Sequence, residues 1–441
     1  MTMTILIKAA QLLLSLSILV IIHELGHFTF AKVFKTRVEK FYLFFNPWFS
    51  LFKFKRGETE YGLGWLPLGG YVKISGMIDE SMDKDQMSKD PEPYEFRSKP
   101  SGQRLLIMLG GVMFNVIFAF LVYSMILFAW GEKYLPTENA KFGIMCDTIA
   151  LDMGMQHGDK IITLDHKKVE DFHDIVPEIV YNGAKTIQVD RKGTVIDIPV
   201  PDDFIAQYIE KKSFINYAFP FVIREFIKDS PAEIAGVKVG DRITGINGKE
   251  TLYYDLVGTE IEKYKDEPIH LQVDRDGELL EFTVLVDSDG KAGIYPLDPK
   301  TFFELKEIEY GFFASIPAGV NKGINTIKSY LKDLKLVFTP ETKAYKSLGG
   351  FIAIGNIFPG QWNWNTFWNM TAFLSIMLAV LNVLPIPALD GGHVLFLIVE
   401  IITGRKPSDK FMEYAQIAGM IFLLALVLYA NGNDILKLFT R

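Results

Sequence analysis

The stretch Leu12-Leu-Leu-Ser-Leu-Ser-Ile-Leu-Val-Ile-Ile-His23-Glu24-Leu25-Gly26-His27-Phe28 sets two histidines and a glutamate inside an otherwise apolar run. A helix turns about 100° per residue, so His23 and His27 stack on one face and can grip one metal ion, with Glu24 beside them to handle a proton. Residues 12–22 carry no charge, and the run is long enough to cross a bilayer. The spacing predicts a metal site inside a membrane helix.

Two histidines are too few for a catalytic zinc, which takes three protein ligands and keeps one position open. The third candidate is Asp390 in Asn382-Val-Leu-Pro-Ile-Pro-Ala-Leu-Asp-Gly-Gly-His393, the only carboxylate between Thr366 and Val399. An ionised carboxylate inside a span costs roughly 2.5–3.5 kcal/mol on insertion scales and needs a partner, which zinc would supply. Pro385, Pro387, Gly391 and Gly392 interrupt the helix around it, as broken helices do where a site is built in a membrane. The expected set is His23, His27 and Asp390 on zinc, with Glu24 taking a proton from water and returning it to a departing amine. Asn382 is placed to hydrogen-bond the substrate backbone or the oxyanion. His393 reads as a structural neighbour rather than a ligand, and Gly111-Val-Met-Phe-Asn115 as small-residue helix packing with a buried hydrogen bond. His157, His166, His173 and His270, far from the spans, read as ordinary surface or core residues.

The 441 residues leave room for about three domains. A 49% hydrophobic share beside 22% charged residues suggests membrane spans joined to water-soluble domains. The net charge of −7 and the lack of a long basic run exclude nucleic acid as a partner. Cys146 is the single cysteine, so an intramolecular disulfide and a Cys-rich metal site are both ruled out. Four segments qualify as spans: Ile5–Ala31, Leu105–Trp130, Phe367–Ile402 and Met412–Ala430. The first lacks a small-x-small cleavage site and holds the histidines, so it is expected to be retained. Lys32, Lys35, Arg37, Lys40, Lys53, Lys55 and Arg56 follow the first span, Lys99 and Arg104 lead the second, and Arg405, Lys406 and Lys410 join the last two. These place both connections in the cytoplasm and the segment Gly131–Asn365 outside.

Glu58–Gly76, rich in Gly, aromatics and alternating apolar residues, favours strand, either a hairpin dipping toward the site or a surface hairpin. Asp79–Ser101 reads as a polar loop. From Gly131 to Pro299 short strand patterns repeat: Met153–Val169 aligns with Ile234–Glu250, each a helix end, a Gly-Asp turn and a strand. Each is followed by a strand pair, Thr186–Val200 and Ile269–Val286. Phe302–Leu336 is helical with spaced lysines, to lie either on the membrane boundary or on the neighbouring domain. Trp362, Trp364 and Trp368 resemble an interfacial aromatic belt.

His-Glu-Leu-Gly-His in span one, Trp65–Val72, Gly111-x-x-x-Asn115 and Asn382-x-x-Pro-x-Pro-x-Leu-Asp-Gly391 together resemble the site-2 protease family over the full chain. Four spans with two domains inserted before the third are similar to its bacterial RseP-type branch, and Asp229–Gly248 resembles a PDZ domain. The resemblance implies a polytopic α-helical membrane protein with a membrane-reentrant β-hairpin and two inserted α+β PDZ-like domains. Its parts are residues 1–130 (first two spans and hairpin), 131–215 and 216–300 (PDZ-like), 301–365 (amphipathic linker) and 366–441 (last two spans). It further implies one catalytic Zn2+ on His23, His27 and Asp390, Glu24 as general base, and Asn382 with Gly69, Gly70 and Tyr71 handling substrate strands by edge addition. The implied setting is a bacterial inner membrane, with the PDZ-like domains periplasmic and the site toward the cytoplasm. Single-span membrane proteins such as anti-sigma factors and remnant signal peptides would be the substrates, with peptide contacts or size filtering by the PDZ-like pair. The competing readings are a non-proteolytic adaptor with a closed structural metal site and a transporter, the latter disfavoured by the lack of paired membrane repeats.

Overall fold

The computed structural model describes residues 2–67, 69–77 and 90–439, and of the polar loop expected over Asp79–Ser101, residues 79–89 lie outside that set. The chain divides into two compact units. One comprises Met1–Gly131, Glu309–Pro340 and Ala344–Arg441, and the other Glu132–Ile308 with Glu341–Lys343.

The first unit is built on helices α1 (Thr2–Val33) and α2 (Ser101–Trp130). It continues with α3 (Phe312–Val337), α4 (Trp364–Val383), α5 (Asp390–Thr403) and α6 (Asp409–Phe439). Four of them, α1, α2, α4 and α6, are long and apolar enough to cross a membrane. Apolar side chains in lipid gain nothing by meeting each other, so close backbone approach at small residues holds such helices together. Gly26 of α1 faces Gly110 of α2 so closely that a Cβ on Gly110 would lie 2.6 Å from the Gly26 carbonyl oxygen. That crossing carries the histidine face of α1 onto α2. Ala119, Val122 and Ile126 of α2 pack on Ala372 and Ile376 of α4.

The third span expected over Phe367–Ile402 is not one helix. Pro385 and Pro387 donate no backbone N–H and push their predecessors out of helical geometry, so α4 ends at Val383 and Leu384 is already extended, with ψ 141°. The chain turns back through Ala388, whose φ of +76° is left-handed, and restarts as α5 at Asp390. Gly391 and Gly392 permit the tight return, since a Cβ on Gly392 would lie 2.6 Å from Pro387 Cα. Gly419 of α6 lies against the same turn, touching the Pro387 carbonyl.

Between α1 and α2 lie strands β1 (Val38–Leu43), β2 (Phe52–Arg56), β3 (Thr59–Leu63) and β4 (Tyr71–Ile74), in the order β2-β3-β1-β4. This corrects the expected hairpin. β3 and β4 both form within Glu58–Gly76, but they do not pair with each other; each flanks β1, β3 parallel and β4 antiparallel. The pattern identified the strands, while their partner was a separate segment upstream. Leu68, within Trp65–Val72, lies outside the described residues.

The helix expected over Phe302–Leu336 begins ten residues later, as α3, and packs on α2 through Gly319 against Ser124 and Gly323 against Phe120.

The second unit contains the repeat seen in the sequence. A helix at Thr148–Asp152, a turn at Gly158-Asp159, a strand at Lys160–Leu164 and a hairpin Thr186–Arg191/Thr194–Pro199 make the first copy. Pro231–Ile234, Gly240-Asp241, Arg242–Ile246 and Pro268–Arg275/Glu278–Leu285 make the second. Each copy has its own buried core. The repeat extends to a salt bridge. Arg191 Nε and Nη2 donate to Asp159 Oδ1 and Oδ2 at 2.8 and 2.7 Å, and Arg275 does the same to Asp241 at 2.7 and 2.7 Å.

Candidate metal centre

His23 and His27 lie in the C-terminal third of the apolar α1 helix, one turn apart, with ring centroids 4.8 Å apart in an edge-to-face arrangement. The break between α4 and α5 brings Asp390 to them across more than three hundred and fifty residues of chain. Asp390 Oδ2 lies 3.2 Å from His23 Nε2 and 3.3 Å from His27 Nε2, and the two Nε2 atoms are 3.2 Å apart. Among the described residues this is the one group of three His, Cys, Asp or Glu side chains whose donor atoms converge closely enough to hold a metal ion.

Three tests bear on zinc. Tetrahedral coordination at bond lengths of about 2.0–2.1 Å spaces ligand atoms about 3.3 Å apart, which is the triangle these atoms make. Asp390 Oδ2 is buried and makes no hydrogen bond, an expensive state for a carboxylate oxygen unless a cation faces it. His27 Nδ1 lies 2.8 Å from the Ile107 carbonyl oxygen, which can only accept, so Nδ1 carries a proton, and in the neutral ring that leaves the Nε2 lone pair on the side of Asp390, available to a metal. The residues fit a zinc ion.

Space for the rings is kept by Gly111 on α2. A Cβ there would lie 2.5 Å from His27 Nε2 and 2.6 Å from His23 Cε1. One turn further along α2, Asn115 is fully buried, with its amide nitrogen 3.2 Å from His23 Nδ1. The buried hydrogen bond expected at Gly111-x-x-x-Asn115 is present, made by Asn115 to His23, and the small residue Gly111 packs against both histidine rings. The signal available was the four-residue spacing of a glycine and a buried amide inside an apolar span.

A cavity of ≈ 550 Å³ opens beside the group. Glu24 lines it, as do Asn382 at the end of α4 and Ala388 in the turn. Its opposite wall is Gly70 and the edge strand β4, from Tyr71 to Ile74. Gly70 sits close against α1, where a Cβ would come within 2.6 Å of Val20 Cγ1 and 3.6 Å of Glu24 Cγ. Tyr71 stacks on Tyr42 of β1 at 5.3 Å and donates its hydroxyl to Asn46 Oδ1 at 2.9 Å. Gly69 is set against the Phe45 ring rather than on the cavity wall. Of the expected site residues, then, His23, His27 and Asp390 converge, and Glu24, Asn382, Gly70 and Tyr71 share one cavity. His393 also lines it but bonds Gln416 of α6 at 2.7 Å and is outside the donor triangle.

Comparison with known proteins agrees with this chemistry. A Haemophilus influenzae protein named regulator of sigma E protease is 26% identical over 99% of this chain and 100% of its own length. The regulator of sigma-E protease RseP of Salmonella typhimurium is 27% identical over the same shares. A Borreliella burgdorferi protein named as a candidate zinc metalloprotease is 28% identical over 97% of this chain and 98% of its own. The model of peptidase family M50 matches residues 11–426, nearly the whole chain. A zinc-fitting His-His-Asp group among apolar helices and a match of that extent lead to one conclusion: the chain belongs to peptidase family M50, the site-2 protease family, and is a zinc metalloprotease.

Proposed function

We propose that this protein is an intramembrane endopeptidase that hydrolyses peptide bonds of single-span membrane proteins. The observation that carries the reading is the convergence of His23 Nε2, His27 Nε2 and Asp390 Oδ2 within 3.2–3.3 Å of one another, with both histidines on a helix apolar enough to cross a bilayer. In this reading these three side chains hold one zinc ion. Bound there, zinc supplies Lewis acidity that lowers the pKa of water and polarises a carbonyl. Glu24, one residue from His23 and on the cavity wall, takes the proton of the attacking water and hands it to the departing amine. Asn382 on the same wall hydrogen-bonds the substrate backbone or its developing oxyanion.

A helical substrate hides its carbonyls in its own hydrogen bonds, so it must be held extended before water can attack. β4 is an edge strand on the cavity, and an unwound substrate segment adds to it, with Tyr71 at its start and Gly70 just before it on the cavity wall.

The four spans and the bacterial relatives support a multi-pass protein of the bacterial inner membrane. The lysines and arginines between spans one and two and between spans three and four support a cytoplasmic side for those connections, and for the site with them. Residues 131–215 and 216–300 are then two periplasmic PDZ-like domains, which filter substrates by size or hold peptide segments. The Haemophilus and Salmonella relatives are named for regulation of sigma E, which is in keeping with anti-sigma factors as substrates, and remnant signal peptides share the single-span form.

Cleavage of a single-span reporter by purified wild-type and Glu24→Gln protein tests the proposal. Turnover should fall at least a thousandfold, the size of a lost general base plus mispositioned water, with zinc content and melting temperature unchanged. Undiminished cleavage by Glu24→Gln would remove Glu24 from the mechanism, and a wild-type protein holding zinc but cleaving no member of a single-span panel would refute the substrate class.

A further inference from the structure

We propose that Asn115 is a positioning residue for the metal centre: its side-chain oxygen accepts the Nδ1 proton of His23, fixing the tautomer that turns Nε2 toward Asp390. This deepens the zinc reading above and rests on it. The two histidines are oriented by different means. His27 is held by a backbone carbonyl, at 2.8 Å from Ile107, whereas the partner of His23 Nδ1 is the amide of Asn115, at 3.2 Å.

A neutral imidazole carries one proton, and a His23 that gives its Nε2 lone pair to a metal must carry it on Nδ1. That N–H then needs an acceptor. The oxygen and nitrogen of an asparagine amide occupy nearly the same positions, and which of them faces a neighbour is decided by the hydrogen bonds available. Asn115 Oδ1, drawn away from the ring, is buried with no partner. Turning the amide by half a rotation gives this oxygen the His23 proton and gives His23 the tautomer zinc requires. The amide has little freedom to leave. Asn115 is 0% exposed, and its backbone carbonyl accepts a hydrogen bond from Ser375 Oγ of α4 at 2.8 Å. The same turn of α2 therefore provides Gly111 as the space for both rings and Asn115 as the polar contact that aims one of them.

The test is zinc affinity, measured on full-length purified protein by competition with a chromophoric chelator, together with the visible spectrum of the cobalt-substituted protein. Asn115→Ala should bind zinc 10–100-fold more weakly, the usual effect of removing a group that orients a histidine ligand, and its cobalt bands should shift. Asn115→Asp, which keeps an acceptor in place, should bind within a few-fold of wild type. His23→Ala is the reference. If it binds zinc as tightly as wild type, the zinc reading itself fails. If it loses zinc while Asn115→Ala keeps wild-type affinity and an unchanged cobalt spectrum, the zinc reading stands and the role of Asn115 is overturned. Should Asn115→Ala not fold, Asn115→Asp decides, because a more than tenfold loss of affinity in a folded Asp variant contradicts the proposal.

Discussion

Replacing Gly111 by alanine tests the packing logic of the site without touching a ligand. The added carbon would sit 2.5 Å from His27 Nε2, 2.6 Å from His23 Cε1 and 2.7 Å from His23 Nδ1. Ordinary van der Waals contact begins at 3.4 Å, so the rings must retreat by 0.7 to 0.9 Å. Neither can do so freely, because His27 is tied to the Ile107 carbonyl and His23 faces Asn115. Zinc sites tolerate ligand displacements of about 0.2 Å, and a misplacement of about 1 Å can cost on the order of 100-fold in rate. The helix itself gains about 0.5–1 kcal/mol from glycine to alanine, so α2 should still form. We therefore expect Gly111→Ala to fold, to bind zinc at least tenfold more weakly in a chelator competition, and to cleave a single-span reporter about 100-fold more slowly. Gly102→Ala, in the first turn of the same helix with nothing within 4 Å of its Cβ, should match wild type in both assays. A Gly111→Ala protein within threefold of wild type in affinity and turnover would refute the reasoning.

Three further outcomes follow from other parts of the molecule. Gly419→Leu would drive a side chain into the Pro387 carbonyl in the turn that presents Asp390, and should lower zinc affinity while leaving the unfolding of the second unit unchanged. Burial pushes the Asp241 carboxyl up, but its bonds to Arg275 and the Lys238 amide hold it below the ordinary carboxylate value. That interaction stabilises the fold above about pH 3.9 and is lost as pH falls through the depressed folded value, so Arg275→Ala should lower the melting temperature of the full-length protein at pH 7 and flatten its acid limb. Burial, with Asp159 nearby, pushes the Cys146 thiol up to about 12, so a maleimide at pH 8 should leave native protein unlabelled and react only after unfolding.

The parts of the fold legible in sequence were those with local signatures. The H-E-x-x-H spacing, the apolar runs, the proline and glycine break before Asp390 and the Gly-Asp turns of the repeat all act over a few residues, and each reappears in the structure. What escaped was pairing at a distance. β1 carries polar and charged residues at Glu39 and Lys40 and gives no clean alternation, yet it is the strand that β3 and β4 both require. Without it, Glu58–Gly76 reads as a hairpin. Asn115 escaped for a related reason: a single amide in an apolar span signals burial and a hydrogen bond, but only the Gly26–Gly110 crossing reveals that the bond is to His23. The Asp159–Arg191 and Asp241–Arg275 pairs likewise join a turn to a hairpin more than thirty residues away.

The account depends most directly on Asp390 sharing one cation with two histidines on another helix. Zinc counted per chain in purified wild-type protein and in Asp390→Ala, with both shown to be folded by circular dichroism, measures this. The account predicts one zinc per wild-type chain and essentially none in Asp390→Ala after equilibration with a chelator that leaves wild type loaded. A folded Asp390→Ala protein that retains its zinc as tightly as wild type would contradict it.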